Sequence, residues 1–293
     1  MNKNNKLNSG YKIINELKSG SFGRILLAIN KQNNQQVIMK MTNSNNDMLS
    51  KEAKYYVFLQ KFNITPKYYG YKVSNKHDLL ITEYYGHDLN YWISQQKLLN
   101  EYMNNYFTHF NINIVLLILY GIIKIIQVLH KYNIIYHDIK PENFLIDNLD
   151  NLTFDNINEH LKIIDFGLSE QLTKEQLLQE DYIVNNGKGN ISGTLRYCSK
   201  KAYNGYEQTY KDDIESIIYL IVYLYQGYLP WQSTLKENKK DKEYLQPEEF
   251  IPKELSFLIE IYNKNSKLKF NKKLNYDILL KIIQKYYNKI NKN

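Results

Sequence analysis

The sequence predicts an α+β fold, with a small β-rich region first and a larger helical region after it. Three observations predict it. Residues 11 to about 85 hold short alternating runs of β-formers. From about Asp88 onward the runs lengthen and take a helical pattern. Between them, residues 83–86 (E-Y-Y-G) read as the connection. On this reading residues 1–10 are a disordered polar tail, 11–287 the folded domain and 288–293 a short terminal tail. The domain divides into a β-rich region, 11–85, and a helical region, 86–287.

In the β-rich region, Y-K-I-I-N-E-L, R-I-L-L-A-I-N, Q-Q-V-I-M-K-M and D-L-L-I-T-E-Y-Y read as strands. One helix interrupts them around residues 50–61. Two apolar stretches stand out in the helical region, 112–129 and 214–231. Both are borderline in length for a membrane span. The first carries Lys124 and Gln127; the second carries Glu215, Ser216 and Gln226 and follows Lys211-Asp212-Asp213. They are read as buried core helices, so no span is expected. Residues 147–160 are polar and Asn-rich, and read as an extended hairpin or loop with no chemistry.

Composition narrows the function classes. The chain has 293 residues, 43% of them hydrophobic, enough for one large domain or two smaller ones. Its one cysteine, Cys198, cannot form an internal disulfide, which fits a reducing compartment, the cytoplasm or nucleus. The opening M-N-K-N-N-K-L-N-S-G has no apolar run, so no secretory signal is expected. The net charge of +8 could suggest nucleic acid. The lysines are spread widely, however, and a solvated basic surface accounts for them. The functional alternative is an acidic or phosphorylated protein partner, not nucleic acid.

Chemistry concentrates in two short runs. Asp138 to Asn143 reads D-I-K-P-E-N, and Asp165 to Gly167 reads D-F-G. Phosphoryl transfer needs a carboxylate to orient the attacking hydroxyl, a cation near the transferred phosphate and acceptors for magnesium. Asp138 can take the hydroxyl, Lys140 can meet the γ-phosphate, and Asn143 and Asp165 can hold metal. Upstream, L-K-S-G-S-F-G-R-I at 17–25 lies between two strand-like runs. Glycines there let backbone approach phosphates. Lys40 ends V-I-M-K, and Glu52 follows in the helical segment.

With these runs in this order, the chain resembles the eukaryotic protein kinase family. The resemblance implies a bilobal kinase fold with ATP in the cleft and two magnesium ions. It implies that Lys18, Ser19, Gly20, Ser21, Phe22 and Gly23 form the glycine-rich loop. Lys40, held by Glu52, would meet the α- and β-phosphates. Thr82 would be the gatekeeper, and the Glu83 carbonyl and Tyr85 amide would hold adenine. Ile25, Ile38 and Leu145 would sandwich the base, with Ile164 beside the site. Lys140 is the serine/threonine form of its loop. Ordinary core packing remains the alternative for each apolar residue.

The helical region narrows the branch. S-G-T-L-R-Y-C-S at 192–199, G-Y-E-Q at 205–208, D-D-I-E-S at 212–216 and G-Y-L-P-W-Q at 227–232 stand in order. They resemble the casein kinase I runs T-G-T-A-R-Y-A-S, G-I-E-Q, D-D-L-E-S and G-S-L-P-W-Q. S-K-L-K-F at 266–270 and N-Y at 275–276 continue the match. The resemblance implies a monomeric enzyme acting on protein Ser or Thr near acidic or already phosphorylated residues. Arg196 would line the anion pocket, the Gly193-Thr194 platform would take an extended protein substrate, and Asp213 would brace the catalytic loop. Lysines in 236–242 add charge or form a solvated face.

Five departures bear on regulation and nucleotide affinity. Lys18 stands at the first loop glycine, Ile38 at the usual alanine, and Tyr136-His137 where the family has H-R before the aspartate; the 147–160 insert is longer. Without the arginine, activation through loop phosphorylation is not expected. No autoinhibitory tail is expected either. The rival from another class is a catalytically silent pseudokinase scaffold, which would lack the lysine, the base or the metal aspartate. A small-molecule phosphotransferase of related fold is a second rival.

Overall fold

The computed structural model describes residues 10–20, 23–44, 46–102, 110–184, 193–232 and 240–292, with backbone alone at 99–102 and 240–241. Two compact units emerge: residues up to Gly86 with Lys162–Gly167, and His87–Leu161 with Leu168 onward. The D-F-G run, which the sequence puts in the helical region, thus groups with the first unit. The fold is the expected α+β class, β-rich and then mainly helical.

The first unit is built on one five-stranded antiparallel sheet. Its strands are β1 (Tyr11–Gly20), β2 (Gly23–Asn30), β3 (Gln36–Asn43), β4 (Tyr68–Val73) and β5 (His77–Glu83), ordered β1-β2-β3-β5-β4. Alternation sends Leu26, Ala28, Val37, Met39, Leu79 and Ile81 to one face, where they form a core cluster. Helix α1 (Asp47–Leu59) begins a little before the expected 50–61. The Asn46 side chain caps it by accepting from Leu49 N. Leu49, Ala53, Tyr56 and Leu59 form its buried stripe, and Glu52 is buried on it too.

The second unit holds β6 (His87–Asp88), β7 (Ile134–Ile135) and β8 (Phe144–Ile146); β9 (Leu161–Ile163) begins in it, and β10 (Glu170–Gln171) pairs with β7. Its helices are α2 (Leu89–Tyr102), α3 (Ile112–Lys131), α4 (Ile157–His160), α5 (Lys174–Leu178), α6 (Lys200–Tyr203), α7 (Tyr210–Gln226), α8 (Lys240–Tyr244), α9 (Pro247–Phe250), α10 (Phe257–Ser266) and α11 (Tyr276–Ile290). By length and composition α3 could cross a membrane, but 67% of its most apolar window is buried inside the protein. It packs against α4, α7 and α11 as a core helix. The second apolar stretch is not all helix. Helix α7 stops at Gly227, which takes the left-handed turn at φ 77°. Trp231 lies beyond it, buried against Tyr219 and Phe250 with ring centroids 4.8 and 5.6 Å away.

Residues 147–160 are not wholly a loop. They close in α4, whose Ile157 is fully buried. Gly121 of α3 makes room for it: a Cβ there would lie 2.8 Å from Ile157 Cγ1. The segment is therefore a plug for the core as well as an insert. Phe154 adds to it, edge-on between Tyr120 and Tyr287 at 4.8 and 4.9 Å.

Candidate active site

The first unit gathers the expected nucleotide residues on one sheet face. Ile25 pairs with Lys40, Leu27 with Ile38, Ile38 with Thr82, and Lys40 with Leu80. Partners directly opposite in an antiparallel pair share a face, and this one lies opposite the core cluster. Glu83 closes the strand, donating its N–H to the Lys67 carbonyl at 2.8 Å and accepting from Lys67 N at 3.1 Å. Tyr85 lies under the Lys162 ammonium at 5.4 Å. Ser21, Phe22 and Ser192 lie outside the described residues.

The two loop glycines differ. Gly23 has φ +109°, and a Cβ would stand 2.3 Å from the Met41 carbonyl oxygen. Its freedom is needed by the sheet itself. Gly20 has no atom within 4 Å of where its Cβ would be. Among the described residues, none stands where a side chain at Gly20 would point. Lys18 sits within β1, opposite Ile25, at a shift in register. Ser19 is the next pair, opposite Arg24.

Beneath that face stands a three-charge cluster. Lys40 Nζ donates to Glu52 Oε2 and to Asp165 Oδ1, both at 2.8 Å. Burial works against the Lys40 charge, but the two carboxylates outweigh it and hold its pKa above the ordinary lysine value. Burial is also the largest influence on Glu52, and with repulsion from Asp165 it raises that carboxyl to about 7 against the pull of Lys40. One ammonium thus serves two carboxylates, of which Glu52 is the more deeply buried. Asp165 adopts φ 62°, rare for a non-glycine residue. The fully buried Phe166 ring packs edge-on to Tyr56 of α1 at 5.5 Å. This contact ties D-F-G to α1 directly, and Lys40, bonded to both Glu52 and Asp165, ties it indirectly.

In the second unit Asp138 is the focus of a converging set. It is buried, yet both carboxylate oxygens are engaged. Oδ1 accepts from Thr194 Oγ1 at 2.8 Å. Oδ2 accepts from Lys140 Nζ and from Asn143 Nδ2, the latter at 3.1 Å. Asn143 Nδ2 also donates to the Asp138 carbonyl at 2.8 Å, fixing the amide so that its oxygen faces away. The close approach of the Thr194 segment needs glycine. Gly193 has φ +94°, and a Cβ would lie 2.5 Å from the His137 carbonyl oxygen. Asp213 of α7 braces the loop, accepting from Tyr136 N at 2.7 Å and His137 N at 2.9 Å. The brace holds His137 at φ 73°. Tyr136 is fully buried near Phe144, so it fills core volume. Leu145, expected at the base, sits in β8 opposite Asp88.

The segment after Thr194 is pinned by unexpected partners. The Arg196 guanidinium lies over the Tyr197 and Tyr223 rings at 5.8 and 5.6 Å. Trp231 Nε1 donates to its carbonyl at 2.9 Å. The solvated-face reading of 236–242 fails at Lys242, which is 1% exposed. Its ammonium donates to the Leu195 carbonyl at 3.2 Å and to that of Cys198. Burial lowers its pKa. Residues 236–239 lie outside the described residues.

Of the residues that the sequence singles out, Lys40, Glu52 and Asp165 come together in the first unit, and Asp138, Lys140 and Asn143 in the second. Sequence reasoning missed the Thr194 hydroxyl as a partner of Asp138, although S-G-T held the signal. It missed Lys242 and the His130–Tyr276 contact, because their partners lie far away in the chain. Compared with known protein families, residues 11–289 match the one described as the protein kinase domain.

Proposed function

The chain belongs to the protein kinase family, and from that premise we propose a serine/threonine kinase of casein kinase I type. It moves the γ-phosphoryl group of ATP to Ser or Thr of protein substrates. The observation that carries this reading is Asp138, its carboxylate oriented by Thr194, Lys140 and Asn143. A buried carboxylate held in one position can accept a hydrogen bond from an incoming hydroxyl and aim its oxygen at phosphorus. Lys140, already at that carboxylate, meets the charge of the transferred group. In the first unit the Lys40 ammonium, kept charged by Glu52 and Asp165, positions the α- and β-phosphates. Ile25, Ile38 and Thr82 offer the base an apolar sheet face.

The residues suit magnesium. Each unit offers a donor that would hold it: the Asp165 carboxylate in the first, and in the second the Asn143 amide oxygen, its nitrogen committed to Asp138. Hard oxygen donors fit that ion, which when bound neutralises the phosphate oxygens. Arg196 supports a preference for acidic or phosphorylated residues beside the target, since a guanidinium offers a planar fork to such groups, and this one lies near the Tyr197 and Tyr223 rings. We also place the enzyme inside the cell and as a monomer, with one domain over 11–287.

The test is transfer of labelled phosphate from Mg-ATP to casein and to Ser, Thr and Tyr peptides. Activity on Ser and Thr is expected. Asp138→Asn is expected to lose turnover by at least about 10³-fold while ATP still binds. If that variant keeps the parent rate, Asp138 is not the base. Transfer mainly to Tyr would overturn the substrate class.

A further inference from the structure

We infer that Tyr276 is a positioning residue for the catalytic loop, acting from α11 through His130 and Asp213. The inference rests on Asp138 being the reacting carboxylate.

The chain of contacts lies wholly within the second unit. The Tyr276 hydroxyl touches His130 Nδ1 on α3. His130 Nε2 lies 2.9 Å from Asp213 Oδ2. The same Asp213 oxygen accepts from Tyr136 N, and Oδ1 accepts from His137 N. Asp138 follows directly. His130 and Asp213 are 0% and 1% exposed, so water does not compete with these bonds.

The order of donors follows from chemistry. Asp213 as a carboxylate can only accept, so Nε2 carries the proton. Burial lowers the His130 pKa, against the pull of Asp213. The neutral ring then has its lone pair on Nδ1, and the Tyr276 hydroxyl must donate to it. Burial keeps that phenol protonated. Tyr210 also faces the ring, 5.0 Å away, and Lys273 Nζ donates to the His130 carbonyl at 2.6 Å.

Removing the hydroxyl leaves a buried lone pair on Nδ1. The ring is then no longer fixed from that side, and its Nε2–H bond to Asp213 is held less firmly. Asp213 gains freedom to move, and the Tyr136 and His137 amides that donate to it are held less firmly in turn. With His137 at positive φ, that backbone needs the acceptor to stay in place.

The experiment compares Tyr276→Phe with Asn275→Ala in the full chain. Asn275 caps α11 by accepting from Ile278 N and is not in this relay. Three readings are taken below the unfolding temperature: kcat and KM for ATP, amide exchange at Tyr136 and His137, and the His130 tautomer by ¹⁵N NMR. Tyr276→Phe is expected to lower kcat about ten-fold with KM for ATP unchanged. It should speed exchange at both amides, and the parent should show the Nε2–H tautomer. Asn275→Ala should do neither, though it lowers stability. Equal behaviour of parent and Tyr276→Phe overturns the inference. So does an Nδ1–H ring in the parent, or an equal loss in Asn275→Ala. Should the parent transfer no phosphate, the kinase reading fails, and exchange and tautomer still decide this one.

Discussion

Glu52 shows how one side chain can link fold, nucleotide and pH. It is buried and shares Lys40 with Asp165. Its carboxyl is raised to about 7 by burial, against an ordinary value of 4.5. The folded chain therefore binds that proton more tightly than the unfolded chain. Glu52 favours folding most below the unfolded value, and that contribution is lost as pH rises through about 7. With Lys40 meeting the phosphates as proposed, nucleotide binding runs the other way. Protonation removes one of the two charges that hold Lys40, so ATP affinity is expected to weaken as pH falls from 8 towards 6. Glu52→Gln should flatten that dependence and give weak binding throughout. Titration of ATP against both forms across that range checks it; a parent whose Kd does not change with pH would contradict the coupling. Lys40 keeps Asp165 as a partner in that variant, so the loss is expected in binding rather than in stability.

At the scale of elements, the glycines that end β1 and begin β2 differ in what a side chain would meet. Gly23→Ala forces a Cβ against the Met41 carbonyl at 2.3 Å, in a backbone region that side chains resist. A loss of about 1–2 kcal/mol or more is expected. Gly20→Ala meets no atom within 4 Å, so stability should change little while KM for ATP rises. Urea unfolding of both variants, with KM for each, tests the division; equal destabilisation would sink it. A second prediction belongs to the catalytic loop. His137 is held by Asp213 and by its own buried position, and it cannot offer the guanidinium that would read a phosphorylated loop. Phosphatase treatment followed by removal of the phosphatase should leave the initial rate unchanged. A drop to background, restored by an upstream kinase, would refute this.

The legibility of the sequence also varied by element. Strands β2, β3 and β5 were readable because alternation is local, and so were Asp138, Lys140 and Asn143 in one run. Lys242 looked like a member of a charge run, because nothing nearby in sequence announces the carbonyls of Leu195 and Cys198. Helix α4 was hidden in a polar stretch, since Ile157 needs Gly121 to explain its burial. His130 and Tyr276 are 146 residues apart, and no local pattern joins them.

At the scale of the whole molecule, the proposed preference for acidic substrates would draw on two kinds of charge, which salt separates. The net +8 is a diffuse field. It raises encounter rates with any acidic protein and is screened beyond about 10 Å at 0.1 M salt. Arg196, on the proposed function, would be a point of contact, its guanidinium lying over the Tyr197 and Tyr223 rings. A charge-assisted arginine–phosphate bond contributes about 1.5–3 kcal/mol, or roughly ten- to a hundred-fold in kcat/KM if realised in the transition state. High salt should therefore slow acidic and phosphorylated peptides alike, through the field. Arg196→Ala should slow phosphorylated peptides by about ten-fold or more at low salt and leave neutral ones near the parent rate. The remaining advantage of phosphorylated peptides in that variant should then fade as salt is added, because only the field is left. Equal losses on both peptide classes would mean that Arg196 serves the fold, through its tyrosines and the Trp231 bond to its carbonyl, and that the preference has another source.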